Sequence, residues 1–282
     1  MRGETTLYRV RRRIKAIRHR ARLRQRIVDA ALAARVREIP TWWHSIDLGG
    51  GVVTPGRKPV DMDAELEALR LPDLRSKTVL DIGAWDGFYS FAAERLGATT
   101  VVALDDPTWT IDRDALEAYR AKRRRERMSA DDWESQPGIW RPDAVPGKRG
   151  FDLAHLSLRS SVESVVADFM TVDLDLLGAF DVVLFLGVLY HVRHPLLALE
   201  RLARVTDTLA VIETEAVVFR RSRARAACEF WEGAYKGDRS TWWVPNERAV
   251  VELCRAAGFS DVEVLTPAPR FGSYRLVAHA YK

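Results

Sequence analysis

Residues 79–87, Val-Leu-Asp-Ile-Gly-Ala-Trp-Asp-Gly, constrain the fold of this chain more than any other stretch. A short, mostly apolar strand pattern runs into Gly83 and Gly87. A helix pattern then starts at Phe88 and stops at Gly97. A strand that turns tightly into a helix is the first half of a βα unit. The alternation continues downstream. Strands are expected at residues 101–104, 164–167, 180–185 and 208–213, with the last two at 262–265 and 276–280. Helices are expected at 195–205 and at 246–257, where Gly258 ends the second. Strands alternating with helices predict an α/β fold with a doubly wound, mainly parallel seven-stranded sheet over residues 77–282.

Two additions to that unit are legible. Roughly 55 residues separate the second strand from the third, far more than an ordinary α/β connection. They form an insertion at about residues 107–150, whose stretch from Arg120 to Arg127 includes Lys122, Arg123, Arg124 and Arg125. Its helix is read as a solvated basic face, with a phosphate-contacting patch as the alternative. The other addition is at the N-terminus. Leu7, Val10, Ile14, Ile17, Ala21 and Val28 share one helix face among arginines. Residues 1–40 hold 13 Lys/Arg against 3 Asp/Glu, so the chain's +5 charge divides into an arm of +10 and a body of −5. The arm is read as a basic amphipathic helix that docks on the domain or on a partner subunit, with contact to nucleic acid or an anionic surface, or a frayed tail, as the alternatives. Residues 41–76, with Trp42, Trp43, His44 and the glycines 49–51, read as a cap segment able to close over a ligand.

Composition excludes several classes. Of 282 residues, 47% are hydrophobic, enough for a full core. No run of about 18 apolar residues spans a bilayer, and no apolar segment follows the early charges as a secretory signal would. Cys228 and Cys254 are the two cysteines, and neither lies in a CxxC pair. A disulfide scaffold and a structural zinc site are therefore not expected, and a reducing cytoplasm is. No histidine or carboxylate cluster argues for a metal.

The glycine turn sets the ligand chemistry. Gly83 and Gly87 let the backbone approach a ligand closely. A second acidic residue, Asp105, ends the next strand and is placed for ribose hydroxyls at the carboxyl edge of the sheet. A dinucleotide would rest its pyrophosphate on the helix N-terminus, where Asp86 repels it. Asp81, entering the turn, instead suits a ligand with an amino group. S-adenosylmethionine (SAM) has both an ammonium and a sulfonium and meets these demands better than NAD.

The segment 79–87 resembles motif I of the class I SAM-dependent methyltransferases, a Rossmann-like fold family. The resemblance extends over roughly residues 40–282. It implies that Asp81, Gly83, Ala84, Trp85 and Gly87 line the cofactor and that Asp105 meets the ribose. It also implies that Asp168 and Phe169 meet adenine, and that Gly187 to His191 line the reaction centre. Gly187-Val188-Leu189-Tyr190-His191, Arg57-Lys58-Pro59 and Pro267-Ala268-Pro269-Arg270 resemble, more narrowly, the tRNA wobble-uridine 5-oxyacetic acid synthases. Those enzymes use carboxy-SAM. Lys58, Tyr190 and Arg270 are the counterparts of the residues that hold its extra carboxylate there. The basic insertion departs from that family, and ordinary SAM is the expected cofactor. A related bacterial group shares the Trp-x-His-x-Ile-x-Leu and Thr-Pro-Gly signatures.

Methyl transfer to oxygen needs an in-line acceptor and a base near neutral pKa. His191 is the candidate base, His44 the second, and Tyr190 orients the acceptor. Each histidine has a bland alternative, in which it bonds backbone and holds its loop. Glu213 and Glu215 line the acceptor pocket or face solvent. The aromatic pairs Phe230, Trp231 and Trp242, Trp243 belong to the core or stack on an acceptor. The expected function is O-methylation of a small molecule or glycan. The alternatives are a tRNA carboxymethyl- or methyltransferase and a SAM-fold binding module without turnover.

Overall fold

The computed structural model describes residues 29–58, 62–130, 132–219, 225–232, 235–236, 240–267, 269 and 272–282. The part of the arm before residue 29, and Arg270, lie outside them. The described residues form nine strands: β1 (Thr78–Ile82), β2 (Thr100–Asp105), β3 (Glu163–Val166), β4 (Phe180–Leu186), β5 (Thr206–Val218), β6 (Cys228–Phe230), β7 (Trp243–Pro245), β8 (Asp261–Val264) and β9 (Gly272–Tyr281). Seven form one sheet in the order β3-β2-β1-β4-β5-β9-β8. The first five are parallel, and β9 runs antiparallel between β5 and β8. The remaining pair, β6 and β7, makes a small antiparallel hairpin.

Helices cover both faces. They are α1 (Ala30–Glu38), α2 (Met62–Ala68), α3 (Phe88–Arg95), α4 (Pro107–Thr110), α5 (Arg113–Arg125), α6 (Arg149–Leu158), α7 (Leu174–Leu177), α8 (Pro195–Arg204) and α9 (Glu247–Ala256). No helix of the described residues is long and apolar enough to cross a membrane. Side chains alternate across β1. Val79 joins Phe91, Phe151 and Trp42 in one core, while Leu80 and Ile82 join Leu199, Leu202 and Val250 in the other.

The chain starts at β1, moves outward through β2 and β3, and returns to lay β4 on the other side of β1. The β1–β4 junction is therefore the switch point, where the two following loops diverge and leave a crevice. Two elements differ from the sequence pattern. The insertion's basic helix reaches seven residues ahead of the basic core at Arg120, starting at Arg113, because Asp112 caps it by accepting from Ala115 N–H at 2.9 Å. The crossover helix α6 follows it. Strand β5 runs five residues past the expected end at 213, since β9 pairs with it out to Val218↔Gly272. Its partner β4 stops at Leu186↔Glu213, so the β5–β9 ribbon overhangs the sheet and walls the crevice.

Candidate active site

The glycine turn between β1 and α3 sits on the crevice floor. Gly83 has φ +79°, and a Cβ there would lie 2.7 Å from Val188 Cγ2, in the loop after β4. The two loops of the switch point thus touch, and only glycine permits it. Trp85 also holds a left-handed φ of 48°, uncommon for a bulky residue. Its backbone is held from both ends. Trp85 N–H donates to Asp105 Oδ2 at 2.9 Å, and Trp109 Nε1 donates to Trp85 O at 2.6 Å. Ala84 is buried beneath the turn.

Three carboxylates of this region, Asp81, Asp86 and Asp105, are each 2% exposed or less. Each has a different environment. Asp81 accepts from Ser90 Oγ at 2.5 Å, a neutral partner. Burial pushes its carboxyl up to about 6, against the pull of Ser90 and His44. A buried carboxylate bonded to a neutral hydroxyl is chemically suited to an ammonium group. By that criterion the site fits the amino group of a cationic cofactor.

Asp86 serves a different purpose. It accepts from Trp43 N–H at 2.9 Å and His44 N–H at 2.7 Å, and it bonds His44 Nδ1 at 2.6 Å. The cap is thereby latched to the turn. His44 is buried, stacked on Phe88 and edge-on to Tyr89. Its bonded position is that of a latch residue. Asp105 accepts from Thr108 N–H at 3.1 Å and Thr108 Oγ1 at 2.6 Å in addition to Trp85, so it braces the turn. Burial raises its carboxyl, opposed by those donors. The adjacent Asp106 is partly buried, and its carboxyl is raised by burial and then by Asp168. Asp106 and Asp168 follow the carboxyl ends of β2 and β3, which pair side by side. Asp168 accepts from Met170 N–H at 2.8 Å, while Phe169 packs on Phe185 in the core.

The other end of the crevice is polar and densely paired. Gly187, at φ +76°, would bring a Cβ within 3.5 Å of Tyr190 Oη and Arg275 Nη2, which locates both beside the turn after β4. Arg275, on β9, lies over the Tyr190 ring at 5.0 Å. It forms a bidentate pair with Glu213 and reaches Glu215 at 3.3 Å. Burial lowers the guanidinium's proton affinity, but Glu213 and Tyr190 more than offset it. Lys236 also bonds Glu215, at 2.9 Å. Lys58 pairs with Glu65 and donates to Tyr89 Oη at 3.1 Å. Burial pushes the Lys58 ammonium down to about 8, against Glu213. Tyr190's hydroxyl is raised by burial, with Arg275 opposing.

The β6–β7 hairpin closes this end. Trp242 N–H donates to Tyr190 O at 2.9 Å, and His191 Nδ1 meets Ser240 Oγ at 2.8 Å. Tyr190 and His191 are therefore held by a segment about 50 residues downstream.

Tyr190, Glu213 and Glu215 converge on one polar cluster with Arg275, and His191 adjoins it through the Tyr190 loop, while Lys58 bonds Glu65 and Tyr89 and is influenced electrostatically by Glu213. Arg275 was not singled out by sequence reasoning. Its signal was a lone arginine inside the apolar strand pattern Tyr274-Arg275-Leu276-Val277. The latch role of Asp86 had no sequence signal, since its partners lie 42 and 43 residues away.

Residues 57–264 match the model of a family described as a methyltransferase domain. The tRNA U34 carboxymethyltransferase of Pseudomonas fluorescens (strain SBW25) is 28% identical over 195 residues, 67% of this chain and 48% of that protein. Its namesake in Pseudomonas aeruginosa (strain LESB58) is 30% identical over 192 residues, 67% of this chain and 47% of that protein. The chain spans about half the length of these curated relatives. Among solved structures, the N-terminal domain of EvdMO1, crystallised in the presence of SAH and D-fucose, aligns with a TM-score of 0.60 at 19% identity. That alignment covers 89% of this chain and 95% of that one, and it shows a shared fold.

Proposed function

Because the chain belongs to the methyltransferase-domain family and has the class I SAM-dependent methyltransferase fold, we propose that it transfers a methyl group from SAM to a hydroxyl of a small molecule or glycan. SAM is the cofactor of that family. The observation that carries the reading is the neutralised charge at the polar end of the crevice. Arg275 is chelated by Glu213 and touched by Glu215, and Lys58 is paired with Glu65. The extra carboxylate of carboxy-SAM would be desolvated among three carboxylates whose cations are already engaged. Ordinary SAM meets no such penalty. Glu213 and Glu215 are hydrogen-bond acceptors and suit an acceptor rich in hydroxyl donors.

SAM, when bound, would supply an activated methyl carbon to the acceptor oxygen, with SAH as the leaving product. The chain's own residues bind and orient. Asp81 takes the ammonium, with Gly83 and Gly87 admitting the backbone to the ligand. Asp105, the residue that the resemblance assigns to the ribose, already accepts from Trp85 and Thr108, so its neighbour Asp106 takes the ribose in its place, and Asp168 takes the adenine. Tyr190, held by Arg275, borders the methyl group. His191, oriented through Nδ1 by Ser240, accepts the acceptor's proton.

A second reading, a tRNA U34 carboxymethyl- or methyltransferase, is supported by the curated relatives and by the basic arm of residues 1–40. A homodimer through that arm is the alternative use of it. Mass spectrometry of the co-purifying cofactor, with SAM calorimetry, tests the reading. A mass of SAM or SAH is expected. Retained carboxy-SAM would overturn the cofactor assignment, and absence of any SAM-type ligand together with no SAM binding would overturn methyl transfer.

A further inference from the structure

The β6–β7 hairpin brings Phe230, Trp231, Trp242 and Trp243 to the Tyr190 end of the crevice. Two of the indoles are covered. Arg193 lies over Trp242 at 4.5 Å, and Phe230 packs on Trp243 with centroids 4.9 Å apart. Trp231 differs, because it is 39% exposed and yet fixed in place. Its backbone N–H donates to Trp242 O at 2.8 Å, and its Nε1 donates to Glu229 Oε2 at 3.2 Å. Its ring meets that of Tyr235 edge to face, with centroids 5.3 Å apart. An indole already held in one orientation loses little rotamer freedom when a ligand stacks on it.

The groups around this indole name the ligand chemistry. Tyr235 Oη donates to Glu215 Oε2 at 3.4 Å, and Glu215 also meets Lys236 at 2.9 Å and Arg275 at 3.3 Å. Tyr235 thus bridges the exposed indole and the polar cluster beside Tyr190. The backbone makes a second link, since Trp242 N–H donates to Tyr190 O at 2.9 Å. A pyranose ring has a face of slightly positive C–H groups, which suits the negative face of an indole, and a rim of hydroxyls. Carboxylates beside the indole accept those hydroxyls. The carboxylates Glu229 and Glu232 next to Trp231 in the chain repel a phosphate, which disfavours a nucleotide or an RNA backbone on this face.

We propose that Trp231, flanked by Glu215 and Glu229, is a stacking platform for a neutral sugar ring carried by the acceptor of the methyl-transfer reaction. Glu215 accepts from a ring hydroxyl, and the hydroxyl to be methylated lies further in, beside Tyr190 and His191. The proposal narrows the acceptor from any small hydroxyl compound to a glycoside. It rests on the methyl-transfer reading only in assigning the sugar to the acceptor.

The test titrates the full chain, with and without SAH, with the methyl glycosides of glucose, galactose, mannose and xylose and with cellobiose. Tryptophan fluorescence and saturation-transfer NMR follow binding, and SAM calorimetry runs in parallel on every variant. Saturable binding of at least one of these sugars is expected. Trp231→Ala should weaken it about tenfold, the worth of one aromatic stack, while Trp231→Phe keeps most of it and Phe230→Ala leaves it unchanged. No saturable binding of any of these sugars, or equal binding by the wild type and Trp231→Ala, overturns the proposal. So does binding of 4-nitrophenol or of an RNA oligonucleotide without sugar binding, which would give the indole to a planar ring. Sugar binding that depends on Trp231, in a protein that does not bind SAM, would uphold the platform and refute the methyl-transfer reading.

Discussion

Replacing Asp81 by Asn should raise the stability of the cofactor-free protein while removing most of its SAM affinity. Burial lifts this carboxyl from 3.8 to about 6, a shift of about two pKa units. At 1.36 kcal/mol per unit, holding the ionised form costs the folded state about 3 kcal/mol at neutral pH. Because the folded pKa is raised, the penalty vanishes below the unfolded value near 4, where both states are protonated. It grows as pH rises to about 6 and is complete above that. Asparagine keeps an acceptor for Ser90 Oγ and carries no charge. At roughly 2–4 °C per kcal/mol for a chain of this size, the midpoint should rise by about 5–10 °C at pH 7.5 and hardly at all at pH 4. Scanning calorimetry of both proteins at both pH values reads this. SAM calorimetry should show affinity lower by about 100-fold, from the lost charge pairing. In the wild type, SAM affinity should fall about tenfold between pH 7 and pH 5, following the ionised fraction of Asp81. A lower midpoint for the variant at pH 7.5, a pH-independent gain, or retained SAM affinity would refute the reasoning.

Three further outcomes follow from the geometry. Asp86→Asn weakens the three bonds of the cap latch, so limited proteolysis should cut within residues 42–58 and SAM affinity should fall about tenfold; an unchanged digestion pattern would count against the latch. Gly83→Ala combines a left-handed φ with a contact at 2.7 Å to Val188 and should cost about 2–4 kcal/mol in a denaturation series, partly restored by adding Val188→Ala. No restoration would show that backbone strain alone is responsible. His191→Ala should lower kcat by roughly 10²–10⁴ with KM for SAM held. Ser240→Ala should lose less and shift the acid limb of the pH profile, while an unshifted limb would leave Ser240 no part in orienting the base.

The alternating pattern was legible because local physics writes it. Val79, Leu80 and Ile82 lie on a buried parallel strand, whose two covered faces call for apolar residues, and the exception, Asp81, sits at its carboxyl end. Gly83 and Gly87 adopt left-handed conformations that few other residues tolerate, so the turn is visible from the sequence. The termini of β5 and of the basic helix were less legible. The end of β5 depends on β9, roughly 60 residues away, and the start of α5 depends on the Asp112 cap. Arg275 illustrates the same limit. Its type and strand placement were in the sequence, but its pairing with Glu213 follows from strand register.

By itself, the sequence determined the fold class, the glycine turn after β1 and the acidic residues around it, since each rests on spacing within a few residues. The tertiary structure alone decided what those acids do. Asp81, Asp86 and Asp105 are chemically identical side chains within 25 positions of one another. One lies against a neutral hydroxyl, one latches the cap and one braces the turn. Burial and partner choice separate them, and both are set by contacts between segments far apart in the chain.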